Sequence, residues 1–178
     1  MIHSFHDKNE WANSPEHEEF LLEVYRGMFP SMVGNVKITV NCDAQHMGVD
    51  RLLVLGNNAT IRIDEKLRAK DYDDFLLEFV SNTKTRAPGW MDKDLAIDYL
   101  AYAFLPTRRC YLLPWHPLRR VWLLARERWI GSRPVKVAKN NGYDTLSVAI
   151  PTWELLREVR EALTFIPPQV SGEKEEAA

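Results

Sequence analysis

The stretch Gly48-Val49-Asp50-Arg51-Leu52-Leu53-Val54-Leu55-Gly56-Asn57-Asn58-Ala59-Thr60-Ile61-Arg62-Ile63-Asp64-Glu65-Lys66 decides how this chain is read. Two apolar runs, Arg51 to Leu55 and Ala59 to Leu67, flank the turn Gly56-Asn57-Asn58. Glycine and asparagine reach positive φ at low steric cost, so a β-hairpin is expected. Side chains two apart on a strand share a face. Asp64 and Lys66 therefore project together, while Ile61, Ile63, Glu65 and Leu67 project to the other side. With Asp50 opening the neighbouring strand, two carboxylates and an amine make a place for a hard cation and a nearby water.

Outward from the hairpin, the other elements follow from periodicity. Ser14-Pro15-Glu16 has the form of a helix start, with Ser as N-cap and Pro at the first helical position. Phe20, Leu21, Val24 and Met28 continue it at helical spacing, and Phe29-Pro30 ends it. Val36 to Val40 and Phe75 to Val80 are candidate strands, and Ser81 to Gly89 is a loop. Leu95, Tyr99 and Tyr102 predict a helix ending before Pro106, followed by a short strand, Cys110 to Leu113. Trp115, Leu118, Trp122, Ala125 and Trp129 form one apolar stripe of a helix closed by Gly131. So regular a stripe reads as core rather than as a base-stacking platform. Val135 to Ala138 and Thr145 to Ile150 flank Asn140-Asn141-Gly142 as a second hairpin, before a last helix from about Thr152 to Leu163. The sum is an α/β (α+β) chain with one domain over residues 1–166, a central mixed β-sheet flanked by helices, and a disordered polar tail over 167–178.

Composition agrees with a globular chain of 178 residues, 46% hydrophobic and 27% charged, which is enough for one buried core. No apolar run is long enough to span a membrane, and the opening MIHSFHDKNEW lacks the layout of a secretory signal. Cys42 and Cys110 read as two free thiols of a reducing cytoplasm. Net charge is -2, but it is unevenly spread. Between Arg108 and Lys139 nine basic residues meet one acid, Glu127, a net +8 that leaves -10 for the rest. Such a dipolar chain can offer one face to a polyanion, the alternative being solvated helix and loop positions.

Asp50, then thirteen residues, then Asp64-Glu65-Lys66 resembles the D…(D/E)xK signature of the PD-(D/E)xK nuclease superfamily, whose fold is restriction-endonuclease-like. The wider run from Gly48 to Glu78, with Gly89-Trp90-x-x-Lys93-Asp94-Leu95 and Cys110-Tyr111-Leu112-Leu113-Pro114, resembles small phage or prophage-type nucleases of that superfamily. Val49 stands where the signature often has proline. The resemblance implies Asp50 and Asp64 as Mg²⁺- or Mn²⁺-binding acids and Lys66 as the catalytic lysine. Glu65 occupies the variable middle position of the catalytic motif and would contribute its backbone carbonyl. It also implies hydrolysis of DNA phosphodiesters, on structured or branched DNA in phage replication, recombination or repair.

Members of the superfamily often add an acid from the first helix, and Glu19 and Glu23 are the candidates here. Glu78 could line the site or pair with an arginine, and Gln45 could touch water or phosphate. Cys42, Asp43 and His46 make a poor closed zinc site without a partner cluster. Neither a Walker loop nor G-x-S-x-G occurs. Arg108, Arg109, Arg119, Arg120 and Arg126 are the expected DNA contacts, and a homodimer acting on two strands suits so small a chain. Two rivals stay open: a nuclease-fold DNA-binding subunit without catalysis, and an interaction domain in which Asp64 and Lys66 form only a surface salt bridge.

Overall fold

The computed structural model describes residues 14–38, 43–160 and 162–166. In chain order they form α1 (Pro15–Met28), β1 (Met32–Lys37), the single turn α2 (Asp43–His46), β2 (Arg51–Leu55), β3 (Thr60–Arg68) and β4 (Asp74–Asn82). A two-residue β5 (Ala87–Pro88) and a 3₁₀ turn (Trp90–Asp92) follow, then β6 (Tyr99–Phe104), β7 (Arg109–Pro114) and α3 (Trp115–Ser132). The chain closes with β8 (Val135–Lys139), β9 (Asp144–Pro151), α4 (Thr152–Glu158) and β10 (Leu163–Phe165). The architecture is mixed α/β, with a six-stranded sheet in the order β1-β2-β3-β6-β7-β10 and a four-stranded sheet in the order β5-β4-β9-β8.

The hairpin forms as its turn residues predict. β2 and β3 pair antiparallel with Arg51 opposite Ile63 and Val54 opposite Thr60, and Asn58 takes φ 64° in the turn. β3 then runs parallel to β6, the single parallel pairing of the large sheet. Helix α1 starts where the sequence places it: the Ser14 hydroxyl accepts the His17 N–H at 3.4 Å, with Pro15 in the first turn. Its buried Phe20, Leu21, Val24 and Tyr25 pack on Leu53, Ile63, Ala101, Ala103 and Leu112. The opposite face carries Leu100, Tyr102, Phe104, Tyr111 and Leu113 against Phe75, Leu77, Val148 and Ile150 of the small sheet and the tryptophans of α3.

Three expectations are corrected. The segment holding Tyr99 and Tyr102 is not a helix but β6, a central strand with Leu100 to Phe104 buried. A strand covered on both faces reads as a continuous apolar run, which periodicity does not separate from a buried helix. Its alternation is nevertheless physical. Leu100, Tyr102 and Phe104 fill the tryptophan-rich core, while Ala101 and Ala103 lie beneath α1, where small side chains let the helix approach.

Second, the strands do not make one sheet. β4 pairs with β9 instead of joining β3, so the crossover from β3 to its parallel neighbour β6 is carried by β4, β5 and the 3₁₀ turn. Third, the last helix stops at Glu158, and Leu163–Phe165 instead adds an edge strand to β7. Lesser differences are that α3 runs through Gly131 to Ser132, and that β1 starts at Met32 rather than Val36. Pro134 disfavours helical backbone at Arg133, which ends α3 in extended conformation. Residues 167–178 and Cys42 lie outside the described residues; Cys110 is a buried free thiol whose pKa burial pushes upward. No helix among the described residues is long and apolar enough to cross a membrane.

Beneath α1 sits an arginine with 0% exposure. Arg51 donates from Nε to Glu65 at 2.6 Å, from Nη1 and Nη2 to the two Glu18 oxygens at 2.8 Å each, and from Nη1 to Asn35 at 2.7 Å. Tyr25 donates to Glu65 at 2.8 Å, and Lys37 to Glu18 at 2.8 Å. Burial acts to raise the Glu18 carboxyl, but Arg51 and Lys37 outweigh it and hold it at about 2. Removing one partner of a buried ion pair strands the other charge. Arg51→Ala should therefore lose about 3–5 kcal/mol in urea unfolding, and Arg51→Met combined with Glu65→Leu should recover much of that loss.

Candidate active site

Asp50, Asp64 and Lys66 come together on the sheet face that looks away from α1. Asp64 lies opposite Leu100 and Lys66 opposite Tyr102, so both point toward the core side shared with the small sheet. Asp64 is 2% exposed and accepts a hydrogen bond from Lys66 Nζ. The Lys66 side chain remains 31% exposed.

Local backbone explains how Asp50 arrives. Gly48 has φ +84°, and a Cβ there would stand 2.9 Å from Leu95, so glycine is needed in the approach to β2. The Asp50 N–H donates to the Ile63 carbonyl at 2.8 Å, and its own carbonyl accepts the Ile38 N–H at 2.8 Å. The β2–β3 ladder ends at Arg51 and Ile63, so β3 continues past its partner. The Glu65 N–H, left without a strand partner there, donates to the Asp50 carboxylate at 2.8 Å. In an extended strand a residue's N–H and C=O project toward the same edge. The Glu65 carbonyl therefore belongs to the same opening.

A buried carboxylate, Asp64, and a half-buried one, Asp50, share one amine. Burial pushes the Asp50 carboxyl up to about 7, and the facing Asp64 charge adds to it; Lys66 and the Glu65 N–H act in the opposite direction. Burial works against the Lys66 charge, but Asp64 and Asp50 outweigh it and hold the ammonium above its ordinary value.

A second wall comes from the small sheet. Glu78, on β4, lies within electrostatic reach of Lys66 and near the backbone N–H of Trp90. Its carboxyl is raised by burial, against the pull of Lys66 and Lys93. Its place is thus beside the lysine, not in an arginine pair. The Trp90 ring centroid lies 5.9 Å from Lys66 Nζ, in cation–π range. Gly89 makes this wall possible: a Cβ there would stand 2.4 Å from the Glu78 carbonyl oxygen. Asp92 ties the same turn to α3 by accepting from Trp122 at 2.8 Å and Arg126 at 2.9 Å. Sequence reasoning gave Trp90 no role; the usable signal was Gly89, which marks a close backbone approach.

Other expected site residues are placed elsewhere. The Glu65 side chain projects through the opposite face to Arg51 and Tyr25, so only its backbone belongs to the site. The helix acids lie across the sheet. Glu23 pairs with Arg108, Glu18 with Arg51 and Lys37, and Glu19 is exposed, so neither Glu19 nor Glu23 reaches the two aspartates. The side chains of Gln45 and His46 lie outside the described residues.

Nor do the expected DNA-contacting arginines share one surface. Arg108 stacks on Phe20 at 4.8 Å on the α1 side. Arg109 pairs with Asp71 at 2.7 Å and Asp73 at 3.3 Å. Arg119 and Arg126 gather around Asp92, and Arg120 is exposed. The basic run is dispersed because a helix and two strands send successive side chains in different directions.

Among the described residues no group of three or more His, Cys, Asp or Glu side chains is arranged to hold a metal ion. The available donors are two carboxylates and a carbonyl, all hard oxygens. That set suits Mg²⁺, which is commonly held by one or two carboxylates and keeps several waters. Burial and then the Asp64 charge raise the Asp50 carboxyl, and a cation bound there would act in the opposite direction. Comparison with family models, with curated proteins and with solved structures returns no match.

The raised Asp50 pKa has a definite stability consequence. A carboxyl that holds its proton longer when folded contributes stability that is present below the unfolded value of 3.8 and is lost as pH rises to about 7. In EDTA, Asp50→Asn should be more thermostable than wild type above pH 7. The difference should shrink steadily toward pH 4. A pH series of melting temperatures checks this; a constant difference would mean that Asp50 titrates normally.

Proposed function

We propose that this protein is a Mg²⁺- or Mn²⁺-dependent nuclease that hydrolyses DNA phosphodiester bonds on a restriction-endonuclease-like fold. One observation carries the reading: the carboxylates of Asp50 and Asp64 converge, with Lys66 bonded to Asp64, where the β2–β3 ladder ends. That is the arrangement which the resemblance of Asp50 and Asp64-Glu65-Lys66 to the D…(D/E)xK signature implies.

Asp50, Asp64 and the Glu65 carbonyl would hold the ion. A bound divalent ion supplies Lewis acidity toward a phosphoryl oxygen and lowers the pKa of a coordinated water. The rest falls to the chain. Lys66 places an ammonium where negative charge grows on the phosphoryl oxygens, and it can orient the attacking water. Glu78 and Trp90 bound the space open to its side chain and keep the amine at the aspartates. The Arg51–Glu65 pair fixes the hairpin from behind, so the acids are held without help from the substrate.

A second reading has its own support. Lys66 already neutralises Asp64, and no third acid completes a metal-ligating group among the described residues. In that reading the fold binds DNA without cutting it.

The two readings part in a cleavage assay over single-stranded, duplex, flapped and branched DNA with Mg²⁺, Mn²⁺ or EDTA. Metal-dependent cleavage by wild type is expected. Lys66→Ala should reduce the rate by about 10²–10³ while Mg²⁺ binding persists, as for loss of one preorganised donor. Asp64→Ala should cost more, because it removes an ion ligand. Both should stay folded in thermal melts. Undiminished cleavage by folded Lys66→Ala would place the active site elsewhere, and DNA binding with no cleavage in any metal would favour the second reading.

A further inference from the structure

Apart from the carboxylate pair, the described residues form a groove that carries cations without an ion pair. It encloses about 640 Å³ between the first half of α3 and the end of α4. His116, Arg120, Val121 and Leu124 line it from α3, and Glu158 and Arg160 from the other side. His116, Arg120 and Leu124 recur every four residues, so they form one face of the helix. At 1.5 Å per residue that face runs about 12 Å.

The arginines of this groove differ from several of their neighbours in the basic segment, which are held by acids. Arg119 and Arg126 are engaged by Asp92, and Arg133 by Glu154. Arg120 and Arg160 are exposed and make no ion pair or hydrogen bond among the described residues. The acid in the groove, Glu158, already accepts from Arg157 at 3.2 Å. The first turn of α3, which supplies His116 and Pro117 to the lining, has no side-chain cap, and a helix N-terminus carries partial positive charge.

The groove adjoins the proposed active site through one acid. The Trp115 N–H donates to the Asp98 carbonyl at 2.9 Å. The Asp98 carboxylate accepts the Arg62 backbone N–H at 2.7 Å and its guanidinium at 2.8 Å, and His116 acts electrostatically on the same carboxylate. Arg62 precedes Asp64 by two residues on the same face of β3, about 7 Å away along the strand. A strand seated at Asp64 therefore meets Arg62 and then the start of α3.

We infer that this groove binds the phosphodiester backbone of the DNA strand that lies across the active site, with Arg120 and Arg160 as its phosphate contacts. The inference deepens the nuclease reading and rests on it for the identity of the ligand. Free guanidinium groups fit phosphate oxygens in pairs, and they do so with more geometric selectivity than ammonium groups. Measured along the axis of a duplex, 12 Å corresponds to about three phosphates of one strand, at 3.4 Å of rise each. The contacts carry affinity and register, not base choice.

The test uses the full chain in EDTA, with fluorescein-labelled single-stranded and duplex DNA, and fluorescence anisotropy over a salt series. The variant is Arg120→Ala with Arg160→Ala. Its affinity should fall by about tenfold, and its log–log salt slope should shrink by about 0.7–0.9 for each phosphate that the variant no longer neutralises. Its melting temperature should match wild type, because both side chains are exposed. Unchanged affinity and slope overturn the groove even if wild type cleaves DNA, and wild type that binds no DNA overturns it as well. Weakened binding in a protein that never cleaves supports the groove while the nuclease reading fails. Poly-glutamate that competes as well as unlabelled DNA, with equal sensitivity to the double substitution, would mean general polyanion attraction and would also overturn it.

Discussion

The contact on which the hairpin depends is the buried one between Arg51 and Glu65. Arg51 has no exposed surface, and its guanidinium spends its donors on Glu65, Glu18 and Asn35, with the Tyr25 ring 5.6 Å away. Burying a guanidinium costs several kcal/mol unless its donors are met, so a small displacement of β2 against β3 would be expensive. Helix α1 supplies Glu18 and Tyr25, and the sheet supplies Glu65 and Asn35. The network therefore sets at once the position of the helix and the register of the two strands.

Chemistry on the opposite face follows from that register. Strand residues alternate, so Asp50 points away from the side that takes Arg51, and Asp64 and Lys66 away from the side that takes Glu65. Each motif is two-sided, with a structural ion pair behind and an acidic pair in front. The front is not at its most stable arrangement. Partial burial, with the Asp64 charge beside it, pushes the Asp50 carboxyl up to about 7. Clefts that perturb pKa in this way are where functional sites concentrate, and the stability forgone in front is offset by the satisfied network behind.

The small sheet contributes as much to the candidate site as the hairpin does. β4 brings Glu78, and the 3₁₀ turn brings Trp90 over Lys66, because Gly89 lets that turn lie directly on the Glu78 peptide. Asp92 fastens the turn to Trp122 and Arg126 of α3. A tryptophan stripe that looks purely like core thus also holds one wall of the site through its indole N–H. The arginines of α3 differ in role: Arg119 and Arg126, facing Asp92, are structural, and Arg120 faces the groove without an ion pair among the described residues.

By itself the sequence determined the hairpin, the start of α1, the stripe of α3 and the shared face of Asp64 and Lys66. Each of these depends on spacing within a few residues, and local backbone geometry fixes such spacing. It also determined that Glu65 would point away from Asp64, though not that Arg51 waited for it there. Only the tertiary structure decided the rest. Tyr99 to Phe104 became a strand because cover on both faces, not its own period, selects a buried parallel strand. β4 left the central sheet because apolar alternation says that a strand has one buried face but not which strand will pair with it. The acids of α1 were kept from the aspartates by a whole sheet, and the basic run was scattered over several surfaces. Which face of a sheet a helix covers is settled by long-range packing, and no spacing between neighbouring residues records it.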